Sequence, residues 1–365
     1  MANSEELEKL REEIDEIDNE ILDLLNSRGE IVKKVGAVKK NLNLEVFQPQ
    51  REKEIIDRLK NKAKTLKKSS IEAIWKEIMG ACKLIQGSVF KVGYLGPEGT
   101  FTHQAALEYF PKANSEFISH RSISEIFENI EKEMTEFGVI PIENSLQGTV
   151  RETIDLLIDR DLKIYGEVEL RIAQNLIGLE SAHLSEIKKI YSHPQAFAQT
   201  RSWIKANMPN AKLININSTA EAVKKVKKGN SEEEAAIGTK FSAEVYDLNI
   251  LAQNIEDNPS NYTRFLIISK KANEIKEGRI KTSIIYVLKH VPGALFQVLK
   301  IFADADINLL KIESRPRRTG RWEYIFLMDF EGDAASPKIQ AVLDKMNQNV
   351  IWYKILGSYP LPQKS

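Results

Sequence analysis

The sequence predicts a multidomain protein, with an all-α module of three helices, an α/β region and an α+β sandwich of ferredoxin-like order. Three observations carry this. Apolar residues step by three and four through residues 7–42, a unit of strand, polar turn and helix then occurs four times in succession, and the end of the chain reads βαββαβ. The expected domain boundaries are 1–88, 89–270 and 281–360.

Whole-chain properties narrow the chemistry. At 365 residues the chain is too long for one core. Its 52 Lys and Arg equal its 52 Asp and Glu, so no overall field draws in nucleic acid or an anionic membrane. An anionic ligand must be met by local cations. The N-terminus shows no basic and apolar leader and no segment approaches ~18 uninterrupted apolar residues, so the expected location is the cytoplasm, with no membrane partner. Cys82 is the only cysteine, which excludes an internal disulfide and a multi-thiolate metal site, and the five histidines show no ligand spacing. Gly93, Gly96 and Gly99 have the wrong spacing for a dinucleotide turn, and no phosphate loop is present. No metal and no cofactor are expected.

In the first module the apolar seam runs through 7, 10, 14, 17, 21, 24, 31, 35, 38 and 42, the pattern of one long helix. Arg28 breaks it. A guanidinium on a packing seam costs on the order of several kcal/mol unless an anion meets it, and either an anionic ligand or an internal salt bridge would do so. At ~1.5 Å per residue, Arg28 and Lys39 stand about 16 Å apart, so their long side chains can converge, while Arg11 and Lys39 are about 42 Å apart. Arg11 therefore joins them only from a second chain, with two helices antiparallel about a twofold near residue 22. A second helix follows Pro49 and sets Arg51 and Glu52 in its first turn, and a third spans residues 70–86 with Cys82 and Gln86 one turn apart. The lysine-rich stretch 60–68 between them has no interleaved aromatics and is expected to be a solvated loop.

Leu10-Arg11, Ile14-Asp15, Ile17-Asp18, Leu24 through Arg28, Val35 through Lys39, Arg51-Glu52, and Glu77 through Cys82 to Gln86 closely resemble the all-helical chorismate mutases over the whole module. The resemblance implies that chorismate, a dicarboxylate, is clamped by Arg28, Arg51 and the Arg11 of a second chain. It also implies that Lys39 and Gln86 hydrogen-bond the ether oxygen and Glu52 a substrate hydroxyl. These residue types suit a pericyclic rearrangement, which needs a compact conformer and donors aimed at the oxygen that gains charge. Gln48 stands where Asp is frequent and Cys82 where Ser is.

The α/β region opens with a strand at 89–95, the turn Gly96-Pro97-Glu98-Gly99-Thr100 and a helix at 102–110. The unit recurs with strand 138–142, turn Glu143-Asn144-Ser145 and a helix from 149; with strand 187–191, turn Ser192-His193-Pro194-Gln195 and a helix to 206; and with strand 235–238 and a helix at 241–246. Such alternation argues a parallel or mixed sheet whose polar turns open on one crevice. Taken singly, Asn144-Ser145 reads as a helix cap and His193-Pro194 as a rigid turn. Taken in order, with Gln199, Asn254-Ile255-Glu256-Asp257 and Asn261-Tyr262-Thr263-Arg264-Phe265, they resemble the motifs of prephenate dehydratases across the full region. That resemblance implies two lobes, similar to a periplasmic binding protein, with the site in the cleft. It implies Thr263 as the catalytic residue, its hydroxyl a positioned donor to the leaving oxygen, and Asn144, Ser192, Gln199 and Arg264 as binders of prephenate. Glu143 and His193 would tune the site or relay a proton. Thr200 replaces a common Cys.

Residues 271–281 read as a charged linker. Beyond it come strand 283–288, helix 292–303, strands 308–313 and 322–330, helix 337–346 and strand 351–356. Gly293-Ala294-Leu295-Phe296 and Glu313-Ser314-Arg315-Pro316 resemble the effector motifs of the ACT domain, which implies that phenylalanine binds there, with Phe296 in place of a frequent Val. On their own, Arg315, Arg317 and Arg318 read as a solvated hairpin. The three resemblances together imply a bifunctional enzyme that turns chorismate into prephenate and prephenate into phenylpyruvate, inhibited by phenylalanine and assembled as a dimer or tetramer. The rival readings are a non-catalytic phenylalanine sensor and a mutase with an inactive dehydratase module. Thr263 with Arg11, Arg28, Lys39 and Arg51 argues against the sensor.

Overall fold

A computed structural model describes residues 2–42, 49–274, 278–316 and 324–361, with the backbone alone at 2–4, 49 and 50. Gln48, Arg317 and Arg318 lie outside the described residues, as does the expected start of the strand at 322. The chain divides into two compact units, one running through Phe90 with Pro111–Glu116, the other made of Lys91–Phe110 and Phe117–Ser365.

The first unit is built on α1 (Ala2–Asn41), α2 (Pro49–Lys62) and α3 (Lys68–Ile85). α3 packs on both of the others. Gly36 permits the approach to α1, since a Cβ there would lie 2.9 Å from Cγ of Gln86. Elsewhere the seam of α1 is uncovered in the single chain: Leu7, Leu10, Ile14, Ile17 and Ile21 are exposed, and Leu24 is 70% exposed. The lysine stretch departs from expectation. Lys60 and Lys62 continue α2, and Lys60 pairs with Glu72 of α3, so the loop shrinks to residues 63–67. Lysine is a good helix former, and cations suit a helix C-terminus, so a lysine run does not by itself end a helix.

The second unit begins with a lobe made of β1 (Phe90–Leu95), α4 (Phe101–Tyr109), β2 (Ser115–His120), α5 (Ile123–Glu131), β3 (Phe137–Asn144), β4 (Gly148–Thr149), α6 (Arg151–Asp159) and β5 (Lys163–Arg171). A second lobe follows, with β6 (Asn175–Gly178), β7 (Lys189–Ser192), α7 (Pro194–Gln199), α8 (Arg201–Asn207), β8 (Lys212–Asn215), α9 (Thr219–Gly229), β9 (Glu234–Gly238), α10 (Lys240–Val245) and β10 (Asn249–Ala252). The chain then returns to the first lobe as β11 (Tyr262–Ser269). The first sheet has the order β2-β1-β3-β11-β5, with β4 beside β3, and the second β10-β6-β9-β7-β8. Both are mixed: β1 and β3 are parallel while β11 is antiparallel to β3 and β5, and β7 is parallel to β8 and β9 while β6 is antiparallel to β9 and β10.

The chain crosses between the lobes twice, and the two crossings hold each other. Ile172 N–H donates to Asn261 O at 2.8 Å and Ile255 N–H to Gln174 O at 2.8 Å. Two of the polar turns cap helices, Thr100 accepting from His103 N–H and His193 Nδ1 from Gln195 N–H at 3.2 Å, whereas Asn144-Ser145, expected as a cap, leads instead into the short strand β4, and α6 begins after Val150 without a side-chain cap. The helix expected to run to residue 206 is two helices meeting at Thr200, whose hydroxyl donates to Ala196 O at 2.8 Å.

The last part folds as β12 (Ile280–Leu288), α11 (Ala294–Asp304), β13 (Leu309–Pro316), β14 (Tyr324–Glu331), α12 (Pro337–Asn347) and β15 (Val350–Pro360), with the antiparallel order β13-β14-β12-β15. One face of this sheet packs under α11 and α12 through Tyr286, Val298, Phe302, Met328 and Met346. The other shares a core with the first lobe, where Ile285, Val287 and Leu327 meet Ile140, Leu157 and Leu266. β15 runs farther than expected and lies on β5. A Cβ at Gly357 would stand 2.2 Å from Ile164 O, so the close approach requires glycine. The expected linker is partly structure: Asn273 is buried and donates to Tyr165 O at 2.6 Å, and Lys281 is buried within β12.

Candidate active sites

β3 and β11 lie antiparallel with Thr263 opposite Asn144 and Arg264 opposite Glu143. Side chains alternate along a strand, so Thr263 and Asn144 share one face, and Arg264 and Glu143 the other. Asn144 Nδ2 lies 2.9 Å from Thr263 Oγ1 and 2.7 Å from Asn261 Oδ1. Its own Oδ1 accepts Leu146 N–H and Gln147 N–H at 3.1 and 3.2 Å, which fixes the amide in the turn. Thr263 Oγ1 thus accepts from Asn144, and its proton is left to donate to something else. Accepting one bond makes the hydroxyl a better donor in the next.

Gln174 and Gln199 meet beside the crossings, the Nε2 of Gln174 donating to Oε1 of Gln199 at 3.1 Å. Gln174 Oε1, Gln199 Nε2 and Asn261 Nδ2 are buried without a hydrogen-bond partner. Each such group costs about 1–3 kcal/mol, so together they mark a place suited to a polar ligand. Gln174 was not foreseen from sequence, and Asn261 only as part of a motif. The signal for Gln174 is a polar pair, Gln174-Asn175, between two apolar strands.

The other expected binders lie in the second lobe or behind the β3–β11 pair. Ser192 is fully buried and donates to Ile237 O at 2.8 Å, and His193 caps α7. The Glu143 carboxylate lies 3.0 Å from Arg264 Nη1 and 2.8 Å from Lys311 Nζ, on the face away from Thr263. Glu143 and Arg264, expected at the dehydratase site as a tuning or proton-relaying group and a substrate binder, thus lie on the strand face opposite Thr263, because residues adjacent in a motif point to opposite faces of a strand. Burial works against the Arg264 cation, but Glu167 and Asp329 outweigh it and raise its pKa above that of an ordinary arginine.

In the helical unit, the Arg28 guanidinium contacts Cys82 Sγ. Lys39 has its pKa lowered by burial, with Glu52 partly offsetting this. Glu52 receives Lys83 Nζ at 3.1 and 3.0 Å on its two oxygens. Gln86 closes α3 with its Oε1 buried and unpartnered. Arg51 pairs with Glu54 at 2.8 Å, while Arg11 stands exposed beside Glu8 at 3.8 Å. Lys83 was missed in the sequence. Its spacing of four from buried Met79 puts it on the packed face of α3, and that spacing was the signal.

In the C-terminal sandwich, Gly293 opens α11 at φ +77° with open space where a Cβ would be, so conformation rather than crowding selects glycine. Ala294 and Leu295 begin the helix and Phe296 is exposed. Along β13, Glu313 reaches Thr149 and lies 3.0 Å from Lys311, Arg315 pairs with Asp155, and Ser314 between them is exposed. Arg315 is therefore not a solvated residue.

Family models describe what these three parts are similar to. Chorismate mutase type II matches residues 10–87, prephenate dehydratase 92–273 and the ACT domain 282–347. The bifunctional chorismate mutase/prephenate dehydratase of Aquifex aeolicus is 38% identical over 362 residues, 98% of each chain. The solved prephenate dehydratase of Arthrobacter aurescens in complex with L-Phe aligns with a TM-score of 0.67 at 32% identity, covering 74% of this chain and 89% of that one. A protein described as a novel type of quorum quenching acylase aligns with a TM-score of 0.67 at 27% identity, covering 74% and 98%.

Proposed function

The chain belongs to the family of bifunctional chorismate mutase/prephenate dehydratases, and from that premise we propose how its residues divide the two reactions. The carrying observation is the Thr263 hydroxyl, held by Asn144 at 2.9 Å beside buried unpaired amide groups, a setting built for one positioned donor. In the dehydratase, the bond from the ring to its carboxylate breaks, carbon dioxide leaves, and the electron pair enters the ring and expels the hydroxyl. Thr263 donates to that departing oxygen, and aromatisation drives the step. Asn144 sets the hydroxyl, while Gln199, Gln174 and Asn261 bind polar groups of prephenate. Ser192 and His193 shape the opposite wall from the second lobe. An amide hydrolase would need a base at the Thr263 hydroxyl, and its neighbour Asn144 is an amide.

In the mutase, Arg28 and Arg51 hold the carboxylates of chorismate, Lys39 and Gln86 meet the ether oxygen as its C–O bond breaks, and Glu52, set by Lys83, takes a hydroxyl. The uncovered seam of α1 supports a dimer in which two copies bury it and Arg11 of each completes the other's site. We assign residues 281–360 to phenylalanine sensing through Gly293, Ala294, Leu295 and Ser314, as the L-Phe complex of the Arthrobacter relative supports. The single free cysteine fits a cytoplasmic enzyme. Arg28→Ala should abolish chorismate turnover and leave prephenate dehydration, and Thr263→Ala should do the reverse. Loss of both activities in either folded variant would contradict two separate sites.

A further inference from the structure

Behind Thr263, on the other face of its sheet, a network of charged side chains interlocks. The first lobe supplies Glu143 from β3, Arg264 from β11 and Glu167 from β5; the C-terminal sandwich supplies Lys311 from β13, Asp329 from β14 and Lys281 from β12. Arg264 Nη2 lies 2.9 Å from Glu167 and 3.0 Å from Asp329, and Lys281 Nζ lies 2.5 Å from Glu167 and 3.4 Å from Asp329. Ser283 Oγ donates to Asp329 Oδ1 at 2.6 Å. Lys281, Glu167 and Asp329 are at most 5% exposed, so water does little to screen them.

The two sets complement each other. The lobe brings Glu143 and Glu167 with Arg264, the sandwich Lys281 and Lys311 with Asp329 and, 3.0 Å from Lys311, Glu313, and the ion pairs cross between them: Arg264 reaches Asp329, Lys281 reaches Glu167 and Lys311 reaches Glu143. Buried charge of this kind holds its geometry only while every partner is present. Arg264 adjoins Thr263 and Glu143 adjoins Asn144, so the backbone bearing the Thr263–Asn144 hydrogen bond is clamped from below by residues of the regulatory domain.

We propose that Asp329 and Lys281 are positioning residues for prephenate dehydration, acting through Arg264 and Glu167 on Thr263. This rests on the assignment of Thr263 as the donor to the leaving oxygen. Neither residue touches substrate. Their removal moves a reacting group rather than a binding group, so it lowers kcat and spares KM.

The test uses the full chain, with chorismate mutase activity as a control for intact protein. Asp329→Asn keeps shape and leaves the buried groups around it, Arg264, Lys281 and Glu167, with one positive charge in excess. Dehydratase kcat should fall at least about tenfold, with prephenate KM within about twofold and mutase kcat unchanged. Asp329→Asn with Lys281→Met restores neutrality without restoring the clamp, so its kcat should lie between the single variant and the parent. Should Asp329→Asn fail to fold, the double variant decides. Parental kcat in the double variant, or in a folded Asp329→Asn, overturns the proposal, as does a loss confined to KM. Thr263→Ala assayed alongside separates the two readings: parental dehydration there removes the site assignment itself, while its loss beside parental rates in the Asp329 variants removes only this inference.

Discussion

Replacing Lys83 by Met removes the ammonium that bridges both oxygens of Glu52 at 3.1 and 3.0 Å while nearly keeping the volume. The Lys83 side chain is 6% exposed and that of Glu52 24%, so the pair is mostly shielded but its anion can still draw on water. Breaking a fully buried pair costs about 3–5 kcal/mol, and the partial access of Glu52 lowers the expected loss to about 2 kcal/mol. Glu52→Gln leaves the ammonium beside a neutral amide and should cost a similar amount. The double variant should cost less than the sum by about 1–2 kcal/mol, because the two single losses describe one contact. Urea unfolding followed by helical circular dichroism measures all four corners of this cycle. A coupling under about 0.5 kcal/mol would refute the contact and with it the setting of Glu52 by Lys83. Kinetically, Lys83→Met should slow the mutase and leave dehydration untouched.

Two further expectations concern other parts of the chain. Lys39 has its pKa lowered by burial, so it loses its charge at a lower pH than an ordinary lysine. Mutase kcat/KM should therefore fall as pH rises, starting below the usual lysine range, and Lys39→Arg should push that limb upward; an unmoved limb assigns it to another group. Gly357→Ala places a methyl 2.2 Å from Ile164 O and should lower stability by about 1–3 kcal/mol, read as a drop in melting temperature, whereas an unchanged melt would mean that β15 does not lie on β5.

Much of this was legible in the residues. The seam of α1 announced both the helix and its uncovered face, and alternating strands and polar turns announced a mixed sheet, while its division into two lobes came with the resemblance to prephenate dehydratases. The face on which Arg264 lies was not legible from the motif, because a motif is contiguous in sequence whereas a strand sends its neighbours to opposite faces. Strand alternation alone would have separated it from Thr263. Lys83 and Lys281 were hidden for a different reason: a lysine is normally read as solvated, and only the carboxylates of Glu52, Glu167 and Asp329, distant in sequence, make their burial tolerable. Gly357 carried no local signal, since its requirement comes from a carbonyl on β5.

The most direct measurement follows chorismate, prephenate and phenylpyruvate together in one reaction with the full chain, with and without phenylalanine. Chorismate should disappear, prephenate should pass through a transient, and phenylpyruvate should accumulate to match the chorismate consumed, more slowly when phenylalanine is present. Prephenate that accumulates without phenylpyruvate, or chorismate that persists, would contradict an enzyme that carries both activities.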